Sequence, residues 1–444
     1  MPLATHQSRA IVAFAIALSA AACSDVPMTA PLERDVAAEA ALVAPSNVEI
    51  REPLDGEWLT GVHTVTARLI DRAPSQYRMF WQVDGGSLVV MSNAPDGVSK
   101  QAWIDYTNWA WNGRGPYVMN FVAKERWSNT IIAQRSVWIY VGTRTNPFAG
   151  ARFFVDPASN ARQQADAWRA TRPLDAAAMD RIATQSQADW LGNWIPDVAS
   201  HVAARVAQIR QAGALPVFVA YNIPLRDCNS YSAGGAPSAA AYKSWVRAVA
   251  SGLGGNRAAI ILEPDALGLL DCLTSSEQQV RLDLLRDAVE VFKRAKVAVY
   301  VDAGNAHWQP AAVMAARLTQ VRAAVADGFT LNVSNFQTTA DNVAYGNELS
   351  ALIGGKTYII DTSRNGLGPT ADYQWCNPDG RALGANPTFM TGAARADAYL
   401  WVKRPGESDG TCNGGPSAGT WWADYALGLA QRASSTTVAS AVAQ

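Results

Sequence analysis

The stretch that most constrains this chain is 258–270, AAIILEPDALGLL, where five apolar residues run straight into Glu263, Pro264 and Asp265. A short all-apolar run that breaks at a proline reads as a buried strand of a parallel sheet leaving at its C-terminal end. Asp265 then stands at a strand tip. In a β/α barrel the tips form the catalytic face, so a carboxylate there points to chemistry. An N-cap on the ALGLL segment would place an aspartate at the same spot.

The arrangement recurs along the chain. The run 216–221 (PVFVAY) leads into NIPLRDC with Asp227, and 297–301 (VAVYV) leads into Asp302 of DAGNAHW. The run 329–333 carries Asn332 and is followed by Asn335, 358–360 runs into Asp361, and 398–402 leads to Lys403, Glu407 and Asp409. Between them, 160–168, 198–212, 238–253, 275–295 and 310–326 have apolar residues at helical spacing. Strand then helix, repeated from 146 to about 433, predicts an α/β architecture, a β/α barrel. A doubly wound open sheet is the alternative, and the absence of GxGxxG or a P-loop after the first strand argues against a nucleotide site.

At 444 residues the chain has room for two or three domains, and 49% hydrophobic with 17% charged residues is a globular balance. A net charge of −1 gives no electrostatic reason to expect nucleic acid or an anionic membrane as partner. Sixteen tryptophans are more telling, because sugar-binding clefts stack indole faces on pyranose rings, although most tryptophans in any protein are core.

Arg9 precedes an apolar run at 11–22 that is too short to span a bilayer and ends in small residues, the pattern of a secretory signal over 1–23. Cys23 is a candidate for lipidation, although Ala20 stands where a lipoprotein signal usually has leucine; plain cleavage nearby is the alternative. Either way an exported protein is expected. With Cys23 set aside, Cys228, Cys272, Cys376 and Cys412 can form two disulfides in three ways. Cys228 with Cys272 and Cys376 with Cys412 is preferred, since it would staple neighbouring strand-end loops. Zinc is disfavoured: there is no CxxC, and only His201 and His307 lie in the C-terminal two thirds, so no metal or cofactor is expected.

Residues 24–46 are rich in Ala and Pro and lack aromatics, as in a tether, and 434–444 form a tail. From 47 to 142 short alternating runs such as HTVTARLI and QYRMFWQVDGG predict a small antiparallel β-sandwich. PLDG at 53–56 and VDGG at 83–86 resemble the bacterial immunoglobulin-like modules appended to secreted glycosidases. Trp103, Trp109 and Trp111 are expected in core or interdomain packing, with a sugar platform as the alternative.

From 146 to about 433 the chain resembles glycoside hydrolase family 6, the cellulases and cellobiohydrolases. The resemblance is carried in order by NPF (146–148), FVDP (154–157), YNIPLRDC (221–228), ILEPDALG (261–268), VDAGNAHW (301–308), LNVSNF (331–336), WCNP (375–378) and WVKRPGESDGTC (401–412). It implies a distorted barrel and hydrolysis of β-1,4-glucan with inversion. Inversion needs a protonated carboxyl for the leaving oxygen and a carboxylate for water, roughly 6.5–9.5 Å apart. By resemblance Asp265 is the general acid, Asp227 the neighbour that raises its pKa, Asp409 the candidate base with a water relay left open, and Asp302 a supporting carboxylate. Trp190, Trp308 and Trp375 correspond to stacking tryptophans, Tyr221 to the tyrosine beside the distorted sugar, and Ser232 to a serine that places water. Lys403 and Glu407 correspond to hydroxyl-binding residues, and Asn335 is a further candidate contact. Asn305 stands where the family usually has histidine, which removes a group able to become cationic.

Endo or exo action turns on whether loops roof the cleft. Asp409 is followed by only Gly-Thr before Cys412, so the cleft should stay open and the enzyme should be a monomeric endoglucanase. A cellobiohydrolase and a non-catalytic carbohydrate-binding surface lipoprotein are the rivals. An esterase would need a GxSxG elbow, which the chain lacks.

Overall fold

The computed structural model describes residues 47–106 and 114–433. The signal segment, Cys23, the tether, Trp109, Trp111 and the tail lie outside them.

The first described region is β1 (Val48–Glu52), β2 (Glu57–Leu59), β3 (Val62–Leu69), β4 (Tyr77–Val83), β5 (Val89–Val90), β6 (Ser92–Asn93), β7 (Lys100–Asp105), β8 (Tyr117–Glu125) and β9 (Ile131–Val141). They form two sheets, β1-β3-β7-β6 and β2-β9-β8-β4-β5. Period-two alternation turns one side of each strand inward, so Val65, Ala67 and Leu69 of β3 share a core with Met79, Trp81, Met119 and Phe121 of the other sheet. One pairing departs from the antiparallel expectation: β2 runs parallel to β9. The PLDG turn carries the chain off the β1 sheet, and Gly56 N donates to Trp138 O at 2.6 Å, delivering β2 alongside β9. Trp103 is also not packed as expected. Ile104 points inward and Trp103, one residue away, is 70% exposed.

The second region carries β10 (Asp189–Leu191), β11 (Val217–Ala220), β12 (Ala259–Leu262), β13 (Ala298–Asp302), β14 (Gly328–Leu331), β15 (Thr357–Asp361) and β16 (Ala396–Leu400). They form one seven-stranded parallel sheet in sequence order. Every residue of β11, β12 and β14 is buried, as continuous apolar runs in a covered parallel sheet require. The helices are α1 (Asn160–Trp168), α2 (Pro173–Ala183), α3 (Val198–Gln211), α4 (Ala239–Leu253), α5 (Ser275–Arg294), α6 (Ala311–Gln320), α7 (Thr339–Leu352) and α8 (Ala423–Arg432). At the seam between β10 and β16, Ala188 N donates to Trp401 O at 3.0 Å and Trp190 Nε1 to Val402 O at 2.8 Å. The sheet is therefore curled into a distorted barrel.

The helix expected over 310–326 stops at Gln320. The chain turns instead, and Arg322, at φ +57°, reaches Asp55 at 3.0 Å and Glu290 at 2.5 Å. Trp138 of β9 lies beneath Arg294 and Arg322 and joins the barrel's core, while Tyr140 Oη donates to Val325 O at 2.6 Å. Val325 precedes β14, so the sandwich packs where the barrel strands begin, opposite their C-terminal tips.

Candidate active site

The strand tips are held in strained backbone. Glu263 and Asp265, flanking Pro264, have φ of +48° and +69°; Asp227 has +58°, Asn332 +67° and Ser334 +58°. Left-handed conformations at non-glycine residues cost about 1–3 kcal/mol each and persist only where surrounding contacts impose them. After β12 the imposing contacts come from Glu263, whose side chain turns inward. Its carboxylate accepts Asn222 N and Ile223 N at 3.0 Å each, clamping the start of the Asp227 loop. The opposite turn at Pro264 aims Asp265 into the cleft.

Asp265 has its carboxyl pKa raised to about 7, first by burial and then by the charges of Asp227 and Asp409, against a smaller pull from Lys403. Asp227 is itself pushed up by burial, opposed by the Ser232 N–H that donates to its Oδ2 at 2.6 Å. Asp302 does not reach the cavity. It lies behind Asp265 at 1% exposure, with Oδ1 accepting Asp265 N at 3.0 Å and Gly304 N at 3.1 Å. Burial and the Asp265 charge push Asp302 well above the usual carboxylate range.

Asp409 has the opposite surroundings. Burial works against its charge, but the Arg364 guanidinium and the Lys403 ammonium outweigh that and hold the carboxyl below its ordinary value. Arg364 Nη1 donates to Asp409 Oδ2 at 2.8 Å, Asn377 N donates to the same oxygen at 3.0 Å, and Lys403 Nζ lies 3.4 Å from Oδ1. One cleft therefore holds a carboxyl that stays largely protonated until the pH approaches 7 and another kept ionised.

These groups open on a cavity of about 500 Å³. Trp190, Tyr221, Asp227, Ser232, Asp265 and Asn305 line it, as do Trp308, Asn335, Trp375, Lys403 and Asp409. Trp190 and Tyr221 meet edge to face with ring centroids 5.2 Å apart. Trp308 needs its glycine neighbours, because a Cβ at Gly268 would lie 2.8 Å from the indole. Asn305 Oδ1 accepts His307 N at 3.0 Å, so this side chain shapes its own loop. Glu407 stands apart from that cavity. It faces a small polar recess with Arg404 and Asp189, where Arg404 lies 3.4 Å from Glu407 and 2.9 Å from Asp189. The disulfides are Cys228–Cys272 and Cys376–Cys412, joining the loops after β11 and β12 and after β15 and β16. Among the described residues no cluster of three or more His, Cys, Asp or Glu is disposed to hold a metal ion.

Sequence reasoning passed over Glu263, Arg364, Asn377, His307 and Tyr373. Glu263 had a signal, a second acid in the EPD triplet that ends a buried strand. Arg364 follows Asp361 by three residues at another strand tip, but nothing local shows that its guanidinium is fully buried.

Residues 148–433 match the family model described as glycosyl hydrolases family 6. The chain belongs to this family. It is 47% identical over 286 residues to endoglucanase A of Cellulomonas fimi, a match covering 63% of this chain and 61% of that protein. The chain thus spans about three fifths of that relative's length. Endoglucanase 1 of Streptomyces halstedii is 43% identical over 59% of this chain and 83% of its own. The endoglucanase Cel6 of Mycobacterium tuberculosis, solved with methyl-cellobiosyl-4-deoxy-4-thio-β-D-cellobioside, is 49% identical and superposes with a TM-score of 0.62. That match covers 65% of this chain and 99% of that one.

Proposed function

We propose that this protein is a secreted endo-β-1,4-glucanase that cuts internal bonds of cellulose or a related β-glucan with inversion at the anomeric carbon. The observation that carries the reading is Asp265, a carboxyl with pKa about 7 facing a tryptophan-lined cleft that also contains an ionised Asp409. Asp265 donates its proton to the leaving glycosidic oxygen while water attacks the opposite face of the sugar. Asp227 keeps Asp265 protonated by its charge and, through Ser232 N, holds the loop over the reacting sugar. Asp302 supports Asp265 from behind through its backbone N–H.

Two cations on Asp409 give its carboxylate a low proton affinity. It orients water and stabilises the positive charge that develops on the sugar, and the proton from water passes on through solvent in the cleft. Trp190, Trp308 and Trp375 stack glucosyl units, and Lys403, Asn305 and Asn335 offer polar contacts to hydroxyls. Glu407 contributes through Arg404 and the loop that carries Asp409.

Endo action follows from the segment after Asp409. It folds back at once, with Gly419 N donating to Ser408 O at 2.9 Å and Ser408 N to Thr420 O at 2.9 Å. Among the described residues, none beyond Asp409 lines the cavity. The test compares the viscosity of carboxymethylcellulose with reducing ends released. A fast viscosity drop at few new ends supports internal cutting; cellobiose release with little viscosity loss contradicts it. Export rests on the signal-like segment at 1–23, and no described helix is long and apolar enough to cross a membrane.

A further inference from the structure

Two rings to which the resemblance assigned no role meet at the cleft. His307 comes from the loop after β13 and Tyr373 from the loop after β15, and their ring centroids are 4.8 Å apart with a 39° tilt. Both line the cavity, as do Asn335 and Gln337 from the loop after the intervening strand β14. The pair thus spans from the β13 loop to the β15 loop past the tip of β14. Tyr373 is 49% exposed and stands at φ +55°, in a turn closed by Tyr373 N donating to Thr370 O at 3.0 Å. No core packing accounts for a large ring held in a left-handed turn beside the cleft; its ring partner is His307.

Each foot of this bridge is fixed. On one side Trp308, next to His307, is wedged against Gly268 and Gly304, where an added Cβ would lie 2.8 Å and 3.1 Å from the indole. On the other side Trp375 lies 6.1 Å from Tyr231, and the next residue, Cys376, is tied to Cys412. Tyr231 comes from the β11 loop and covers Gly410, beside Asp409, where a Cβ would meet its ring at 2.4 Å. Arg381 Nη1 donates to Gly368 O and Pro369 O at 2.9 Å each, so the Thr370–Cys376 segment is held on both sides. Tyr231 and Trp375 are also solvent-facing, at 48% and 46% exposed, but Trp375 adjoins the Cys376–Cys412 disulfide, whereas Tyr373 meets His307 in mid-segment.

We propose that His307 and Tyr373 form a non-covalent strap at the Trp308 end of the cleft, which retains a glucan chain after a cut so that several cuts follow one encounter. The strap rests on the endoglucanase reading and specifies how the cleft treats its polymer. An aromatic pair of this kind biases the closed state by roughly two- to tenfold. That is weak enough for a chain interior to enter sideways, unlike a permanent roof, and strong enough to slow its escape.

The test is digestion of swollen insoluble cellulose, counting new reducing ends in solution and on the solid. Their ratio reports cuts per stay; a variant that is merely slower lowers both pools and leaves the ratio alone. The strap predicts a soluble-to-insoluble ratio in the intact enzyme well above that of random single cuts. It predicts a two- to fivefold lower ratio in Tyr373→Ala and in His307→Ala, no further loss in the double variant, and recovery in His307→Phe, which keeps a ring partner. A wild-type ratio typical of single cuts overturns the proposal without any variant, as do alanine variants that keep the wild-type ratio. Absence of hydrolysis by the intact enzyme would instead refute the endoglucanase reading.

Discussion

Arg364 Nη1 donates to Asp409 Oδ2 at 2.8 Å, with side-chain exposures of 0% and 4%. The pair joins the loop after β15 to the loop after β16, and Arg364 also donates to Ser334 O beyond β14. Three strand-end loops thus converge on one guanidinium, which lies 4.4 Å from the centroid of the Phe336 ring. A buried ion pair of this kind favours the ionised form of Asp409 and fixes its position.

Breaking the pair from one side leaves an uncompensated buried charge. Arg364→Met is expected to lower stability by about 3–5 kcal/mol and to cut activity, measured by denaturant unfolding and by hydrolysis of soluble cellulose. Asp409→Asn keeps the shape but not the charge, and should lower kcat while retaining oligosaccharide binding. A folded, fully active Arg364→Met enzyme would contradict the role given to the pair.

The pH profile follows from the carboxyls. The proposed role requires Asp265 to be protonated, and its pKa is about 7, so kcat/KM should fall as pH rises through that value. The proposed role also requires Asp409 to be ionised, and it sits below its ordinary value, so the acid limb should lie below about pH 4. Asp227→Asn removes one of the negative charges that raise Asp265, so the alkaline limb should move to lower pH. An alkaline limb that stays in place in that variant would assign it to another group.

The sandwich is bonded to the barrel at a point with no spare volume. A Cβ on Gly56 would lie 1.7 Å from Ala324 O, and Gly56 has φ +77°. Gly56→Val is expected to destabilise the protein by about 3 kcal/mol or more, read as a lower unfolding midpoint. An unchanged midpoint would mean that the two regions do not pack as described.

Legibility in the sequence tracked how local the physics is. β12 and Asp265 were readable because an apolar run and a proline specify a buried strand and its exit within a few residues. α7 was passed over because the face it buries, Asn342, Tyr345, Gly346, Leu349 and Ser350, is at helical spacing but mostly not apolar. The parallel β2–β9 pairing was illegible, since register at a short edge strand is set by the distant Trp138 carbonyl. Asp302, read as a supporting carboxylate, lies behind Asp265 rather than on the cavity, because a carboxylate at a strand tip can turn toward the neighbouring loop as easily as toward the cleft. Glu407 resembled a sugar contact by motif and sits in a separate recess with Arg404.

The most direct test of the central claim exploits what a general acid does. Asp265→Ala should lose cellotetraose hydrolysis by about 10²–10⁴-fold while retaining its binding. The same variant should hydrolyse a 2,4-dinitrophenyl cellooligosaccharide at a rate far closer to wild type, because that leaving group departs without a proton. Equal losses on both substrates, or undiminished cleavage of cellotetraose, would contradict Asp265 as the proton donor.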